Sequence, residues 1–247
     1  MNYFLSLAGT LCCLIASAQS PFAGMSITEV AIPADIQVEL QNELGTTDEV
    51  HCYRLFICLN DPNWELQAIH GESTDPWVFS IDGQLYQHIF GGGLASDINP
   101  VLYELSSTLE YDSWFTIGND SHPSSVLYVE STDAQPLTLF EQGRGFVENS
   151  IIGSTIFGSW LPPNTEGTPD EDGNVLIGQF TTTGTITGEF NFQFRKLNED
   201  NTIYLPIMLE NEAGVCIEIN QTTVGSSCAD LCIVEEEGSW FCGEGTY

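Results

Sequence analysis

One segment constrains the fold more than any other part of the chain. Its sequence is Thr185-Ile-Thr-Gly-Glu-Phe-Asn-Phe-Gln-Phe194. Its apolar side chains fall on one side of a two-residue period, at Ile186, Phe190, Phe192 and Phe194. Polar residues occupy the other side. Such alternation is typical of an antiparallel strand that covers a core on one face and meets water on the other. The segment therefore predicts a half-buried β-strand.

Further strands are predicted at short intervals, with turn residues between them. Asp82-Gly83 is a typical hairpin turn, and Thr183-Gly184 is expected to close a second hairpin. A short helix is predicted over Asn99–Leu105, because Asn can cap a helix that begins with Pro. No long segment has a helical period, so we predict an all-β fold, an antiparallel β-sandwich or jelly roll. The other predicted strands are 52–59, its returning partner 64–70, 76–81, 84–90, 110–117 and 175–180.

The charge balance excludes one class of partner. Asp and Glu number 35 against 4 Lys and Arg in 247 residues, which gives a formal net charge of −31. Nucleic acid is therefore not expected as a partner, because phosphate binding needs clustered cations. The hydrophobic fraction of 42% is that of a folded globular protein rather than of an acidic disordered tail.

The first 18 residues are an uncharged, apolar run that ends in Ala-Ser-Ala18. This pattern predicts a cleavable signal peptide, and hence a secreted protein that is extracellular or at the cell surface. The run is too short for a comfortable membrane span, so membrane insertion is not expected. We divide the rest of the chain into a flexible acidic lead (19–44), a β-sandwich domain (45–208) and a cysteine-containing C-terminal segment packed on that domain (209–247).

The cysteines of an exported chain predict disulfides. A continuous strand from Cys52 to Leu59 would separate Cys52 and Cys58 by about 20 Å, whereas a disulfide spans about 4.4–6.8 Å between Cα atoms. These two residues are therefore expected to bond into the C-terminal group rather than to each other. Zinc binding is a weaker alternative, because paired C-x-x-C motifs are missing. The six predicted disulfide cysteines are Cys52, Cys58, Cys216, Cys228, Cys232 and Cys242.

A calcium site is predicted in the loop Asp170-Glu-Asp-Gly-Asn174. Asp170, Asp172 and Asn174 place oxygen donors at alternate positions around a glycine, as in half of a calcium-binding loop. The bidentate Glu that would complete a helix-loop-helix site is missing. An ordinary turn stabilised by Asp170 ahead of the next strand is the alternative.

A ligand site is predicted around Trp114. In a strand over 110–117, Glu110 and Asp112 would project from the same face as Trp114, about 7 Å apart. Two carboxylates beside an aromatic ring suit carbohydrate binding or glycoside hydrolysis. Such pairs also arise by chance in an acidic chain.

Six short segments between about residues 51 and 195 form a combination that is moderately specific. They are Tyr53-Arg-Leu55, Ala68-Ile-His-Gly71, Phe90-Gly-Gly92, Ile98-Asn-Pro100, Glu110-Tyr-Asp-Ser-Trp-Phe-Thr-Ile-Gly118 and Asp172-Gly-Asn-Val-Leu-Ile-Gly-Gln-Phe-Thr-Thr182. Together they resemble a β-rich extracellular module found in secreted proteins of marine bacteria and some algae. No activity is known for that module, so the resemblance implies a secreted building block and no catalytic residues. The cysteine-bearing tail departs from its pattern.

Catalytic signatures such as G-x-S-x-G and H-E-x-x-H do not occur in the sequence. The sequence therefore favours a secreted, non-enzymatic interaction or matrix module whose partner is an extracellular protein or glycan. The alternative function is a glycan-binding lectin or a glycoside hydrolase that uses Glu110 or Asp112.

Overall fold

The computed structural model describes ten ranges of the chain. These are residues 21–70, 77–118, 128–131, 137–148, 150–153, 167–196, 215–219, 221, 234–236 and 239–241. The predicted signal peptide lies outside them, as do the side chains of Cys216, Cys228, Cys232 and Cys242.

Antiparallel strands dominate the described residues, as an all-β fold requires. The strands are β1 Phe22–Val30, β2 His51–Leu59, β3 Trp64–His70, β4 Trp77–Asp82, β5 Trp114–Gly118, β6 Tyr128–Ser131, β7 Phe146–Glu148, β8 Ser150–Gly153, β9 Asn174–Thr182, β10 Thr185–Lys196, β11 Val215–Ile219, β12 Val234–Glu236 and β13 Ser239–Phe241. The helices are α1 Ala34–Leu44 and α2 Thr138–Glu141, together with 3₁₀ helices at Ala95–Asp97, Pro100–Glu104 and Ser107–Tyr111.

The strands form two larger sheets and one hairpin. The first sheet has the order β1-β2-β9-β5, and the second has the order β6-β8-β3-β10-β4-β7. Strand β11 pairs with β10 in the second sheet, so part of the C-terminal segment belongs to the main body. Strands β12 and β13 pair with each other.

The main core contains side chains from both larger sheets. Four phenylalanines meet at its centre, with every pair of ring centroids within 6.3 Å. They come from β4 (Phe79), β5 (Phe115), α2 (Phe140) and β9 (Phe180). The predicted apolar face of β10 is confirmed, because its Ile and three Phe residues are all buried in this core.

Most of the predicted strands are confirmed, but their predicted partners are wrong. Strands β9 and β10 lie in different sheets, so Thr183-Gly184 carries the chain between sheets instead of closing a hairpin. A Cβ atom at Gly184 would lie 1.4 Å from the carbonyl oxygen of Asp82, so this crossing needs glycine. Likewise β2 and β3 do not pair. Residues 84–90 form no strand, and only Leu85 bridges to Thr182.

The prediction of a flexible N-terminal lead over 19–44 is wrong, because residues 22–44 form β1 and α1. Ile36 and Leu40 of the helix are buried against the body of the protein. The helix ends at Gly45, which has a φ of 67° and donates its N–H to the Asn42 carbonyl. That left-handed residue is a common helix stop.

The short helix predicted over Asn99–Leu105 is confirmed as the 3₁₀ helix Pro100–Glu104. The Asn99 side chain accepts the Val101 N–H at 3.1 Å, as predicted for a capping residue. Among the described residues, neither α-helix reaches the length and apolar character that a membrane crossing demands.

Strand β2 separates Cys52 from Cys58, as predicted. The prediction that Cys52 forms a disulfide is wrong, because it is a free, buried cysteine. It lies in a small apolar cluster with Ile36, Leu40 and Tyr111, and this burial raises the pKa of its thiol to about 12. Cys58 is disulfide-bonded. The pairing of the remaining cysteines stays a prediction.

Candidate functional site

Four large apolar side chains are exposed on the segments that lead into β5, and one of them is Val101, which is 70% exposed. Ile89 is 87% exposed, Phe90 is 59% exposed and Leu105 is 80% exposed. The His88 ring connects their segments, because it lies 5.5 Å from the Phe90 ring and its Nε2 is 2.9 Å from Ser106 Oγ. We call Ile89, Phe90 and Leu105 the apolar patch.

A chain of hydrogen bonds runs beneath the patch. The Phe90 N–H donates to His88 Nδ1 at 3.0 Å, so the ring proton must be on Nε2, which donates to Ser106 Oγ. Ser106 then donates to Thr108 Oγ1 at 3.2 Å, and Thr108 donates to Glu43 Oε1 at 3.1 Å. The chain therefore has one consistent direction, from the His88 ring to a carboxylate on α1.

This direction determines what His88 and Ser106 can do chemically. A serine nucleophile needs a neighbouring nitrogen that accepts its proton, whereas Nε2 of His88 already carries a proton. Burial lowers the pKa of His88, which keeps the ring neutral near pH 7. The pair is thus arranged to hold the two segments together, not to activate the Ser106 hydroxyl.

Asp112 organises the backbone on the other side of His88. Its side chain is fully buried, and its Oδ1 accepts the His88 N–H at 2.6 Å while Oδ2 accepts the Gly92 N–H at 3.2 Å. A Cβ atom at Gly91 would lie 1.8 Å from Asp112 Oδ2, so the backbone can approach the carboxylate only because residue 91 is glycine. The segment that carries Ile89 and Phe90 is therefore fixed at both ends.

Burial raises the pKa of Asp112 to about 7, and the nearby Glu141 adds to this rise. Hydrogen bonds from the backbone N–H groups of His88, Gly92 and Ser113 act in the opposite direction, because they favour the ionised form. Desolvation is the larger effect for this fully buried group.

A groove of about 430 Å³ lies next to the patch and contains Ile89 in its wall. Two carboxylates line it, Glu43 from the end of α1 and Glu141 from the end of α2. Glu43 is held by the Tyr86 hydroxyl, which donates to Oε2 at 2.5 Å, and by Thr108. Glu141 accepts the Gly93 N–H at 3.3 Å. We call this cavity the acidic groove.

The structure does not bring the predicted ligand residues together on a surface. Trp114 is only 9% exposed and packs with Leu109 and Leu176, so the prediction that a ligand site forms around its ring is wrong. Asp112 is buried, and Glu110 is exposed on a 3₁₀ helix rather than on a strand. The strand begins only at Trp114 because residues 107–111 turn to bury Leu109 and Tyr111.

The predicted calcium loop forms a turn. Asp170 Oδ1 accepts the N–H groups of Asp172 at 2.9 Å and Asn174 at 2.8 Å. The Asn174 side chain instead accepts the Ser26 hydroxyl at 3.3 Å, from strand β1 on the far side of β2. Within the described ranges no group of three or more His, Cys, Asp or Glu side chains is arranged to hold a metal. Calcium binding stays a prediction.

Sequence reasoning missed both the apolar patch and the acidic groove. Their members come from positions 43–44, 85–87, 89–90, 105 and 141–143, and no local motif connects these positions. The only local signal is the Gly91-Gly-Gly93 run, where a close backbone approach could have been suspected.

Comparison of the chain with protein-family models, with curated proteins and with solved structures finds no match.

Proposed function

We propose that this chain is a non-enzymatic interaction module of an exported protein, and that it binds its partner through the apolar patch and the adjacent acidic groove. The observation that carries the proposal is the high exposure of Ile89, Phe90 and Leu105 on two segments that the His88 ring joins. Single exposed apolar residues are ordinary on protein surfaces, whereas grouped ones mark interaction sites.

The way in which the patch is held supports the proposal. The backbone around Ile89 and Phe90 is hydrogen-bonded to the buried Asp112 and to the His88 ring. A segment held in this way loses little conformational entropy when a partner binds, so more of the interaction energy appears as affinity. The exposed side chains are therefore presented on a rigid support.

Two further features belong to the proposal. The shared core of the two larger sheets supports a β-sandwich, since aromatic side chains of both sheets pack against each other there. The apolar leader over residues 1–18 supports export.

Selection from a random peptide library on the immobilised full chain tests this function without assuming the chemistry of the partner. We expect enriched peptides whose binding is lost when Ile89→Ser and Leu105→Ser are combined. Both residues are exposed, so the double variant should keep the fold, which circular dichroism would check.

The matched control for this selection is Val38→Ser. Val38 is another exposed apolar residue, 54% exposed, and it lies on the side of α1 that faces away from the buried Ile36 and Leu40. Peptides should bind this control as they bind the wild type. Selection that yields no peptides, or peptides that bind the double variant equally well, would contradict the proposed function.

A further inference from the structure

The acidic groove adjoins the apolar patch, and Ile89 belongs to both. A partner that covers the patch would therefore lie over the groove as well. Glu43 and Glu141 stand in the groove wall, on elements that are far apart in sequence. The surface thus joins exposed apolar side chains to two carboxylates held by hydrogen bonds.

The Glu43 carboxylate can still accept hydrogen bonds from a ligand. Each oxygen of Glu43 accepts one described hydrogen bond, from Tyr86 or from Thr108. A carboxylate offers about four lone-pair sites in all, so Glu43 can accept further donors from an ammonium or guanidinium group. Its position is set before a ligand arrives.

Among the residues that the structure describes, none that lines the groove is basic. Arg144 follows Gly143 of the groove wall, but its side chain is not part of the described lining. The sequence contains no Lys or Arg from residue 55 to residue 143, which includes the whole of the patch. The described lining of the groove therefore contains two carboxylates and no basic side chain.

We propose that the apolar patch and acidic groove together dock a basic amphipathic polypeptide segment, whose Lys or Arg side chain enters the groove while its apolar side chains cover Ile89, Phe90 and Leu105. This inference rests on the proposed function and names the class of partner. Charge complementarity selects this occupant over a second copy of the chain, because each copy has a formal net charge of −31 and the two would repel.

Isothermal titration of the full chain with three designed peptides tests the inference. The first peptide has lysine on one helical face and leucine on the other, the second replaces lysine by glutamate, and the third scrambles the first. We expect the lysine–leucine peptide to bind and the other two to bind at least about tenfold more weakly. Its affinity should fall as salt is added, because the charges are partly exposed.

Single substitutions test the contributions of the acidic groove and of the apolar patch to peptide binding separately. Glu141→Gln and Ile89→Ser should each weaken binding of the lysine–leucine peptide by at least about fivefold. Glu171→Gln removes the same charge in the exposed turn before β9 and should change nothing, as should Val38→Ser. The turn that contains Glu171 is hydrogen-bonded to Leu59, at one end of β2. The other end of β2, at His51, is the end nearest α1, and the two ends are about 26 Å apart along the strand.

Equal binding of the lysine and glutamate peptides, or no effect of Glu141→Gln, would overturn the inference. Failure of the lysine–leucine peptide would also overturn it. If library-selected neutral or acidic peptides still bound at the patch in that case, the proposed function would stand and only the class of partner would be wrong.

Discussion

The buried carboxylate of Asp112 holds the backbone of the segment that carries the exposed Ile89 and Phe90. It accepts N–H groups from His88 and Gly92, which flank the exposed Ile89 and Phe90. Its burial was not predicted, because an alternating pattern over 110–117 places Asp112 on the polar face of a strand. The pattern failed where Leu109 and Tyr111 gained more by turning into the core as part of a 3₁₀ helix.

We expect the Asp112 carboxyl group to titrate near pH 7 in the folded chain, because burial raises its pKa to about 7. The unfolded value is about 3.9, so the folded state binds this proton more tightly. The contribution of Asp112 to the free energy of unfolding should therefore decrease as pH rises from about 4 to about 7, by at most about 1.4 kcal/mol per pH unit.

Nuclear magnetic resonance of the carboxyl carbon measures this pKa directly, and the Asp112→Asn variant assigns the signal. The Gly92 amide should shift with the same midpoint, since its N–H donates to Oδ2. A midpoint near 4 would show that the backbone hydrogen bonds outweigh desolvation.

Among the elements, strand β9 contains a bulge that the sequence did not reveal. Leu55 pairs with Gly178 and Phe56 pairs with Leu176, so Ile177 is the extra residue. A bulge of this kind changes which side chains face the core. Val175, Ile177 and Phe180 all reach the main core as a result.

We expect Gly178→Ala to destabilise the fold by about 1–3 kcal/mol, the usual cost of overpacking a core. A Cβ atom at position 178 would lie 2.5 Å from Phe180 Cζ and 3.0 Å from the Trp114 carbonyl oxygen. Urea unfolding gives the change in free energy. Ser80→Ala, at an exposed position of β4, should stay within about 0.5 kcal/mol of the wild type.

A double variant tests the mechanism of that loss. Phe180→Leu removes the atom that the new methyl group meets, so combining it with Gly178→Ala should cost less than the sum of the two single changes. Additive costs would mean that the Phe180 ring is not the source of the destabilisation.

The prediction of the elements succeeded where the signal was local. The two-residue period of β10 and the Asn-Pro start of the 3₁₀ helix depend on neighbouring residues, and both are confirmed. Strand pairing depends on long-range contacts, so the short connections from β2 to β3 and from β9 to β10 suggested hairpins at places where the chain crosses to the other sheet. Helix α1 was missed although Gly45 supplied a stop signal.

At the scale of the whole molecule, a net charge of −31 repels anionic partners everywhere, whereas the apolar patch gives one place where contact is favourable. The all-β class could be predicted from periodicity, whereas the exclusion of nucleic acid stays a prediction. The site could not be predicted, because it brings together the end of α1, the segment 86–90 and the end of α2, which are far apart in the sequence.

The most direct test of this account is an amide-shift map of the isotope-labelled full chain, recorded with and without the tightest library-selected peptide. We predict that the perturbed amides cluster at residues 87–93, 105–108 and 141–143. Perturbations centred on the turn at 170–174, or spread evenly over both sheets, would contradict the claim that this surface is where the protein binds its partner.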